Sequence, residues 1–427
     1  MNDSERRAVA ALASVYSMRM LGLFMVLPVF ALLGPELAGA TPALIGLAIG
    51  IYGLSQASLQ VPFGALSDRL GRKRLIYVGL VIFAAGSVVA GASDHIVGVI
   101  IGRALQGAGA IASVLMALVS DLTRAEQRTK AMAGIGVTIG LSFSVSLILG
   151  PLVGQVMGLA GIFYLTAILA LVAMVIVWKL VPEPPAMVTE GEHRPARAML
   201  GGVLRDPRLL RLDFGIFALH LALTALFIQV PVMLSDRLGL AVDAMWWFYL
   251  TVMVTSFFAM VPFIIIGEKK RQMKTVLCGA VALLLVASVA LWHWSVSLTA
   301  AWFGLFFFFM AFNLLEASLP SLISKESPAG AKGTAMGVYS TSQFFGAFLG
   351  GALGGVMAGW AGADGVFGLI ALVLLAWLVV AITMQAPRYR DRDERDDFVV
   401  ELQDYDTDGQ PSRMNNDRAG VNHGTRC

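Results

Sequence analysis

Long apolar runs alternate along the whole chain with short polar clusters rich in Lys and Arg. The runs fall at about 8–33, 43–66, 75–93, 96–119, 131–157, 160–181, 212–235, 244–267, 274–294, 297–323, 333–359 and 363–385. Most are long enough for a helix to cross a hydrocarbon core, which takes ~20 residues. They are much longer than the ~10-residue alternating strands of a membrane barrel. The pattern predicts an all-α membrane protein of twelve transmembrane helices. The first run follows the polar stretch Met1–Arg7. It exceeds the length of a signal-peptide core and lacks a small-residue cleavage site, so it is expected to stay as the first helix.

Two segments break the pattern. Residues 182–211 are polar and contain Pro182, Pro184, Pro185 and Pro195. They divide the runs into six plus six. Residues 388–427 are charged, with Phe398-Val399-Val400-Glu401-Leu402 as their main apolar stretch, and read as a disordered or surface-lying tail. The expected organisation is a six-helix bundle over 1–181, a cytoplasmic linker over 182–211, a second six-helix bundle over 212–387 and a cytoplasmic tail over 388–427.

The halves repeat each other at an offset of about 200 residues. Val61-Pro62-Phe63 recurs as Val261-Pro262-Phe263, and Leu27-Pro28-Val29 as Val230-Pro231-Val232. Ala131-Met132 lies over Ala335-Met336. A parallel duplication of this kind relates the halves by an axis along the membrane normal and puts a substrate cavity near the midplane between them.

Charge sets the orientation. Of 31 Lys and Arg residues, all but Arg19, Arg103 and Arg237 fall on one side when alternate loops are assigned together with the N-terminus. The positive-inside rule makes that side cytoplasmic, termini included. Only 14% of residues are charged and 57% are hydrophobic, against ~25% and ~45–50% in soluble domains. A net charge of +3 gives no reason to expect a nucleic-acid partner; the expected partners are the lipid bilayer and a small molecule. Two cysteines make neither a disulfide framework nor a metal site. The five histidines are scattered and no H-E-x-x-H occurs, so neither an enzyme nor a metal site is expected. The chain contains no phosphate-binding G-x-x-x-x-G-K-[ST] loop, which leaves an ion gradient as the energy source, or downhill movement. No cofactor is called for beyond a proton as coupling ion.

The most specific motif is Gly64-Ala65-Leu66-Ser67-Asp68-Arg69-Leu70-Gly71-Arg72-Lys73-Arg74, after the second run. Gly64 allows two helices to approach. Asp68 can accept from free N–H groups at a helix N-terminus, and Gly71 permits a tight turn. The motif resembles the G-x-L-a-D-r-x-G-r-k signature of the major facilitator superfamily. The resemblance implies a gate in which Asp68 meets the eleventh helix near Lys332 in the outward-open state. Arg69 belongs to the same motif, and Arg72 is expected to pair with Asp121.

In the fourth run, Gly102-Arg103-Ala104-Leu105-Gln106-Gly107 resembles the R-x-x-q-G motif of the same family, whose arginine is associated with proton transfer. The alternative is a structural arginine bonded to backbone carbonyls. In the fifth, Ser146-Leu147-Ile148-Leu149-Gly150-Pro151-Leu152-Val153-Gly154 is similar to the antiporter-associated G-x-x-x-G-P-x-x-G-G motif, with Ser146 in place of the first Gly and Gln155 in place of the last. Pro151 removes a backbone donor and is expected to kink the helix. The bland reading is a bent, Gly-packed helix. Arg19-Met20-Leu21-Gly22 and Pro28 in the first run resemble a bacterial efflux branch of the drug/proton antiporter type. Members of that branch can end in a small globular domain, which the tail here is too short and too polar to form.

Glu316 is the one acid read as lying well inside a run. An intramembrane ionisable residue is costly and by default functional. A cavity exposing it to each side in turn would make it a proton carrier. His220 is the second candidate, and it falls opposite Arg19 in the repeat. Each could instead be a permanently bonded core group. Asp213 is expected at the interface, near the start of the seventh helix. Tyr16, Phe24, Gln106, Phe227, Gln229, Phe312 and Asn313 are candidates for the cavity wall.

The pattern points to a monomeric secondary transporter that exports small organic molecules or drugs against protons by alternating access, in the bacterial inner membrane by resemblance. A proton symporter or uniporter importing a small metabolite is the alternative within transport. A non-transporting membrane receptor or sensor is the alternative outside it.

Overall fold

The computed structural model describes residues 1–183, 196–328 and 331–385, and these residues are helical nearly throughout. In order they form α1 (Asp3–Phe24), α2 (Leu27–Leu33), α3 (Pro42–Leu70), α4 (Arg72–Gly91), α5 (Ile96–Ala108), α6 (Ala112–Asp121) and α7 (Ala125–Leu180). After a short α8 (Ala196–Val203) come α9 (Pro207–Val232), α10 (Met245–Lys269), α11 (Met273–Trp294), α12 (Leu298–Glu326) and α13 (Lys332–Ile382). In hydrocarbon every backbone group must be satisfied within the segment, which leaves the helix as the structure for runs of this length. The polar connections supply the start signals. Asn2 and Glu5 make a reciprocal capping box on α1. Thr41 and Asp206 cap α3 and α9, each followed by a proline in the first turn, and Ser297 caps α12.

Ten helical stretches among the described residues are long and apolar enough to cross a membrane. The protein is thus an all-α, multi-pass membrane protein. Eight of the ten each correspond to one apolar run. The other two, Lys130–Leu180 and Lys332–Ile382, contain 51 residues each and hold two runs apiece. At ~1.5 Å per residue each is about 75 Å long, more than twice a ~30 Å hydrocarbon core. Each is interrupted once by a glycine with positive φ: Gly158 (φ 64°, ψ −168°) and Gly362 (φ 59°, ψ −140°). The two glycines occupy matching places in the two halves. The expected kink at Pro151 is a different matter: the helical φ/ψ continue through Pro151, and the break comes at Gly158.

Two seams converge on the first part of α13. Against α9, a Cβ on Gly346 or Gly350 would lie 2.2 Å from the Phe217 carbonyl oxygen or 2.3 Å from that of Leu221. Against α3, a Cβ on Gly46, Gly50 or Gly53 would lie 2.3–2.5 Å from the carbonyl oxygen of Gly351, Phe348 or Phe344. Only glycine permits backbones this close, the usual device for helix association without a hydrophobic driving force. The α3–α13 seam joins the first half of the chain to the second over the end opposite the Asp68–Arg74 turn. At the basic end, Gly71, Gly333 and Gly337 have nothing within 4 Å of a virtual Cβ.

Candidate functional site

The seam between α9, α12 and α13 carries a polar cluster in an otherwise apolar surround. Gln343 on α13 faces two acceptors. Its Nε2 lies 2.9 Å from His220 Nε2 on α9 and 3.2 Å from Glu316 Oε1 on α12. His220 Nε2 is 3.8 Å from Glu316 Oε2. The other ring nitrogen, Nδ1, lies 3.3 Å from the Ile216 carbonyl oxygen. A carbonyl only accepts, so Nδ1 carries the hydrogen, and the amide of Gln343 donates one hydrogen to His220 and one to Glu316. The imidazole is then the neutral Nδ1–H tautomer. An ion pair between His220 and Glu316 would require a proton on Nε2 in place of the amide contact. His220 is buried, while the Glu316 side chain is 27% exposed and its Oε2 has no partner among the described residues. The structure thus brings together Glu316 and His220, and adds Gln343, which the sequence reading missed.

A second polar set fills the first half. Arg19 on α1 is 2% exposed and donates through Nη2 to Gln56 on α3, whose Nε2 donates to Gln60 at 3.0 Å. Arg19 Nε and Nη1 have no partner among the described residues. Arg103 donates to Gln106 Oε1 at 2.9 Å and to the carbonyls of Ala48 and Ile49 at 3.3 and 3.4 Å, and Gln106 donates to Ser87 Oγ at 2.8 Å. The Tyr52 ring lies between the two guanidinium groups, 5.9 Å from Arg19 Cζ and 5.1 Å from that of Arg103. This arrangement favours the structural alternative for Arg103, since carbonyls, an amide and a ring face occupy it. Gln106 is fully buried and bonded inside the first half, so it does not line a cavity. Gln56 and Gln60, one helical turn apart in α3, were visible as a polar pair in an apolar run but carry no charge to single them out.

The other wall candidates divide. Phe24, Phe312 and Phe227 belong to an aromatic chain across the halves. Phe24 meets Phe143 edge-on at 5.0 Å, Phe143 lies 5.8 Å from Phe312, and Phe227 reaches Phe309 at 6.3 Å. Phe312 also lies 6.0 Å from the His220 ring, one turn before Glu316. Tyr16 and Gln229 are half-buried. Asn313 turns toward α10, 3.4 Å from Ser256 Oγ.

At the basic end Gly71 has φ 95°, the conformation its turn requires. Arg72 Nε bonds Asp121 Oδ2 at 3.0 Å, as expected, and Arg72 also pairs with Asp68. Asp68 is 56% exposed, and the α13 N-cap, Ala331, has no side-chain cap. The expected contact between Asp68 and the eleventh helix is not made among the described residues. Arg69 is exposed. Gly64 has Ser113 Oγ 3.3 Å from a virtual Cβ, a looser fit than the α3–α13 seam. In the fifth run Gly150 has the expected tight packing, with the Met25 carbonyl oxygen 2.4 Å from a virtual Cβ, whereas Gly154 meets only side chains at 3.3 Å and beyond.

Asp213, in the second turn of α9, is 4% exposed, and neither carboxyl oxygen has a hydrogen-bond partner among the described residues. No group of three or more His, Cys, Asp or Glu residues suited to a metal occurs among the described residues.

Comparison with known proteins adds the family context. The family model described as Major Facilitator Superfamily matches residues 12–351. The chain is 51% identical over 389 residues to the inner membrane transport protein YajR of Escherichia coli (strain K12), covering 91% of this chain and 86% of that one. It is 26% identical to the multidrug resistance protein MdtH of Aeromonas salmonicida (strain A449), over 81% of this chain and 86% of that one. Among solved structures, a bacterial homologue of the human lysosomal transporter Spinster, inward-facing and unoccupied, matches with a TM-score of 0.71 at 15% identity, over 90% of this chain and 95% of that one. The human organic anion transporter MFSD10 matches with a TM-score of 0.63 at 20% identity, over 89% of this chain and 100% of that one. At these identities the two structural matches speak for the fold alone.

Proposed function

This chain belongs to the Major Facilitator Superfamily, as a secondary-active small-molecule transporter rather than an enzyme, and on that footing we propose that it exports small organic molecules in exchange for protons. The body is twelve crossings in two six-helix bundles, 1–181 and 212–387, joined by the linker 182–211. The double length of the two 51-residue stretches, and their breaks at Gly158 and Gly362, support that count. The tail 388–427 lies outside the described residues. Both termini face the cytoplasm by the distribution of Lys and Arg.

The observation that carries the coupling is the Gln343 amide between Glu316 and His220, at the seam where α9, α12 and α13 meet. Glu316 takes up a proton when the cavity opens to one side and releases it when the cavity opens to the other. On this reading the glycine packing of α3 against α13 holds one end closed, and the basic end is the side that opens. In the opposite state the Asp68–Arg72–Asp121 group closes the basic end against α13. A cavity wall built from Phe24, Phe227 and Phe312 suits amphipathic organic cargo. The likeness to MdtH, named a multidrug resistance protein, supports that class.

The test is dye transport in proteoliposomes under an imposed pH gradient, with ethidium and acriflavine as probes. Wild-type protein is expected to move dye against the proton flow, and Glu316→Gln to lose the proton-driven part. Dye movement by Glu316→Gln at the wild-type rate and gradient dependence would sink the coupling role. Dye and protons moving in the same direction would favour the importing alternative.

A further inference from the structure

Outside the Gln343 cluster, buried ionisable side chains with polar atoms lacking a hydrogen-bond partner among the described residues include Arg19, Tyr52, Tyr249, Tyr339 and Asp213, and Asp213 is the acid among them. Asp213 lies in the second turn of α9, and both its carboxyl oxygens are buried without a partner among the described residues. Tyr339 on α13 is 3% exposed, and its hydroxyl is equally unpartnered. Asp213 stands two turns before His220 on α9, and Tyr339 one turn before Gln343 on α13, so each shares a helix face with a member of the Gln343 cluster. Tyr339 is within electrostatic range of both Asp213 and Glu316. Along this seam two rungs follow each other: Asp213 with Tyr339 nearer the basic end, then His220 with Gln343 and Glu316.

The charged neighbours do not account for Asp213. On its own helix, Arg208 is engaged with Glu326 of α12 at 3.4 Å and with Gln385 at 2.5 Å. Arg211, one turn from the helix start, and His220 are the other ionisable groups of α9. From α12 come Glu316, Lys325 and Glu326, and from α13 Lys332, Tyr339 and Asp364, the last accepting from Trp292 Nε1 at 2.8 Å. On α3 only Tyr52, Asp68 and Arg69 can ionise, and α2 has no ionisable side chain. No ion pair or hydrogen bond to the Asp213 carboxyl is formed among the described residues. A bare carboxylate with all its lone-pair sites unused in an apolar seam is among the costliest groups to bury, and the smallest ligand that relieves it is a proton.

We propose that Asp213 is a second proton-binding carboxyl of this transporter, placed between Glu316 and the basic end. The step is a plain exchange: a hydronium ion on the basic side gives its proton to a carboxylate oxygen of Asp213, leaving water and a new O–H bond. The reverse transfer to water returns it. The inference rests on the reading of Glu316 as the coupled proton carrier.

Infrared difference spectroscopy of the purified full-length protein in lipid nanodiscs, titrated from acid to alkaline pH, separates the two acids. Wild-type protein is expected to show two protonated-carboxyl C=O bands that disappear on titration. Asp213→Asn should remove one and keep the other, and Glu316→Gln should do the converse. Asp213→Glu should retain a shifted band, which shows that loss in Asp213→Asn is not misfolding. If Asp213→Asn removes nothing and Asp213→Glu shifts nothing, the proposal is overturned. If Glu316→Gln removes no band while Asp213→Asn does, the coupling role of Glu316 fails and Asp213 stands alone as the proton site.

Discussion

Gln343 holds a neutral amide between an imidazole and a carboxyl, and both depend on it for a donor. Leaving one buried acceptor unsatisfied costs about 1–3 kcal/mol. Gln343→Leu strands two, His220 Nε2 and Glu316 Oε1, in a conformation the cycle must visit. We expect it to slow gradient-driven dye transport in proteoliposomes by about tenfold or more, since ~1.4 kcal/mol is a factor of ten. Dye binding to the detergent-solubilised protein is expected to change far less. Transport at the wild-type rate would mean that the amide is a bystander. Glu316 and His220 were legible in the sequence because a charge in an apolar run announces itself. Gln343 was not, because an amide is inexpensive there and its importance comes from partners on two other helices. The burial of the Asp213 carboxyl was not legible for a related reason: the sequence shows an acid near a helix start, not the neighbouring helices that cover it.

Helix α3 serves two sites at once: its Gly46, Gly50 and Gly53 face α13, and its Gln56 and Gln60 face Arg19. Those glycines looked like generic membrane composition in the sequence, because a close approach between helices some 300 residues apart leaves no local signal. A side chain at Gly50 would meet the Phe348 backbone, which cannot rotate away as a side chain would. Overpacking a tight contact costs roughly 1–3 kcal/mol, enough to move a two-state equilibrium by about tenfold or more. Gly50→Val is therefore expected to open the end held by this seam and favour the opposite state. Spin labels at Thr41→Cys and Ala361→Cys, with Cys278 and Cys427 replaced, report it by pulsed dipolar spectroscopy. The short-distance population should shrink in Gly50→Val. An unchanged distance distribution would show that the seam does not hold this end closed.

At the scale of the whole molecule, the count of crossings decides where every loop lies. Reading ten crossings from ten continuous helical stretches would put the Gly158 and Gly362 breaks inside the membrane or force a helix of about 75 Å through a ~30 Å core. Reading twelve puts both breaks at the surface opposite the Asp68–Arg74 turn, where a positive-φ glycine reverses the chain with hardly any loop. The apolar runs carry that reading by their total length, since the residues between them, Gly158-Leu159 and Trp360-Ala361-Gly362, are not polar. The two glycine breaks were not singled out, because glycine is spread throughout the apolar runs, although Gly362 does lie among Gly359, Asp364 and Gly365. The exposed side chains beside the breaks make the difference measurable. In a cysteine-free background, Met157→Cys and Ala361→Cys should react with a membrane-impermeant maleimide added to intact spheroplasts. Leu70→Cys, beside the basic turn, should react only after permeabilisation. The two labels near the breaks stand or fall together, since the repeat relates them. Protection of both until permeabilisation would invert the orientation, and labelling of just one would break the six-plus-six symmetry on which the central site depends.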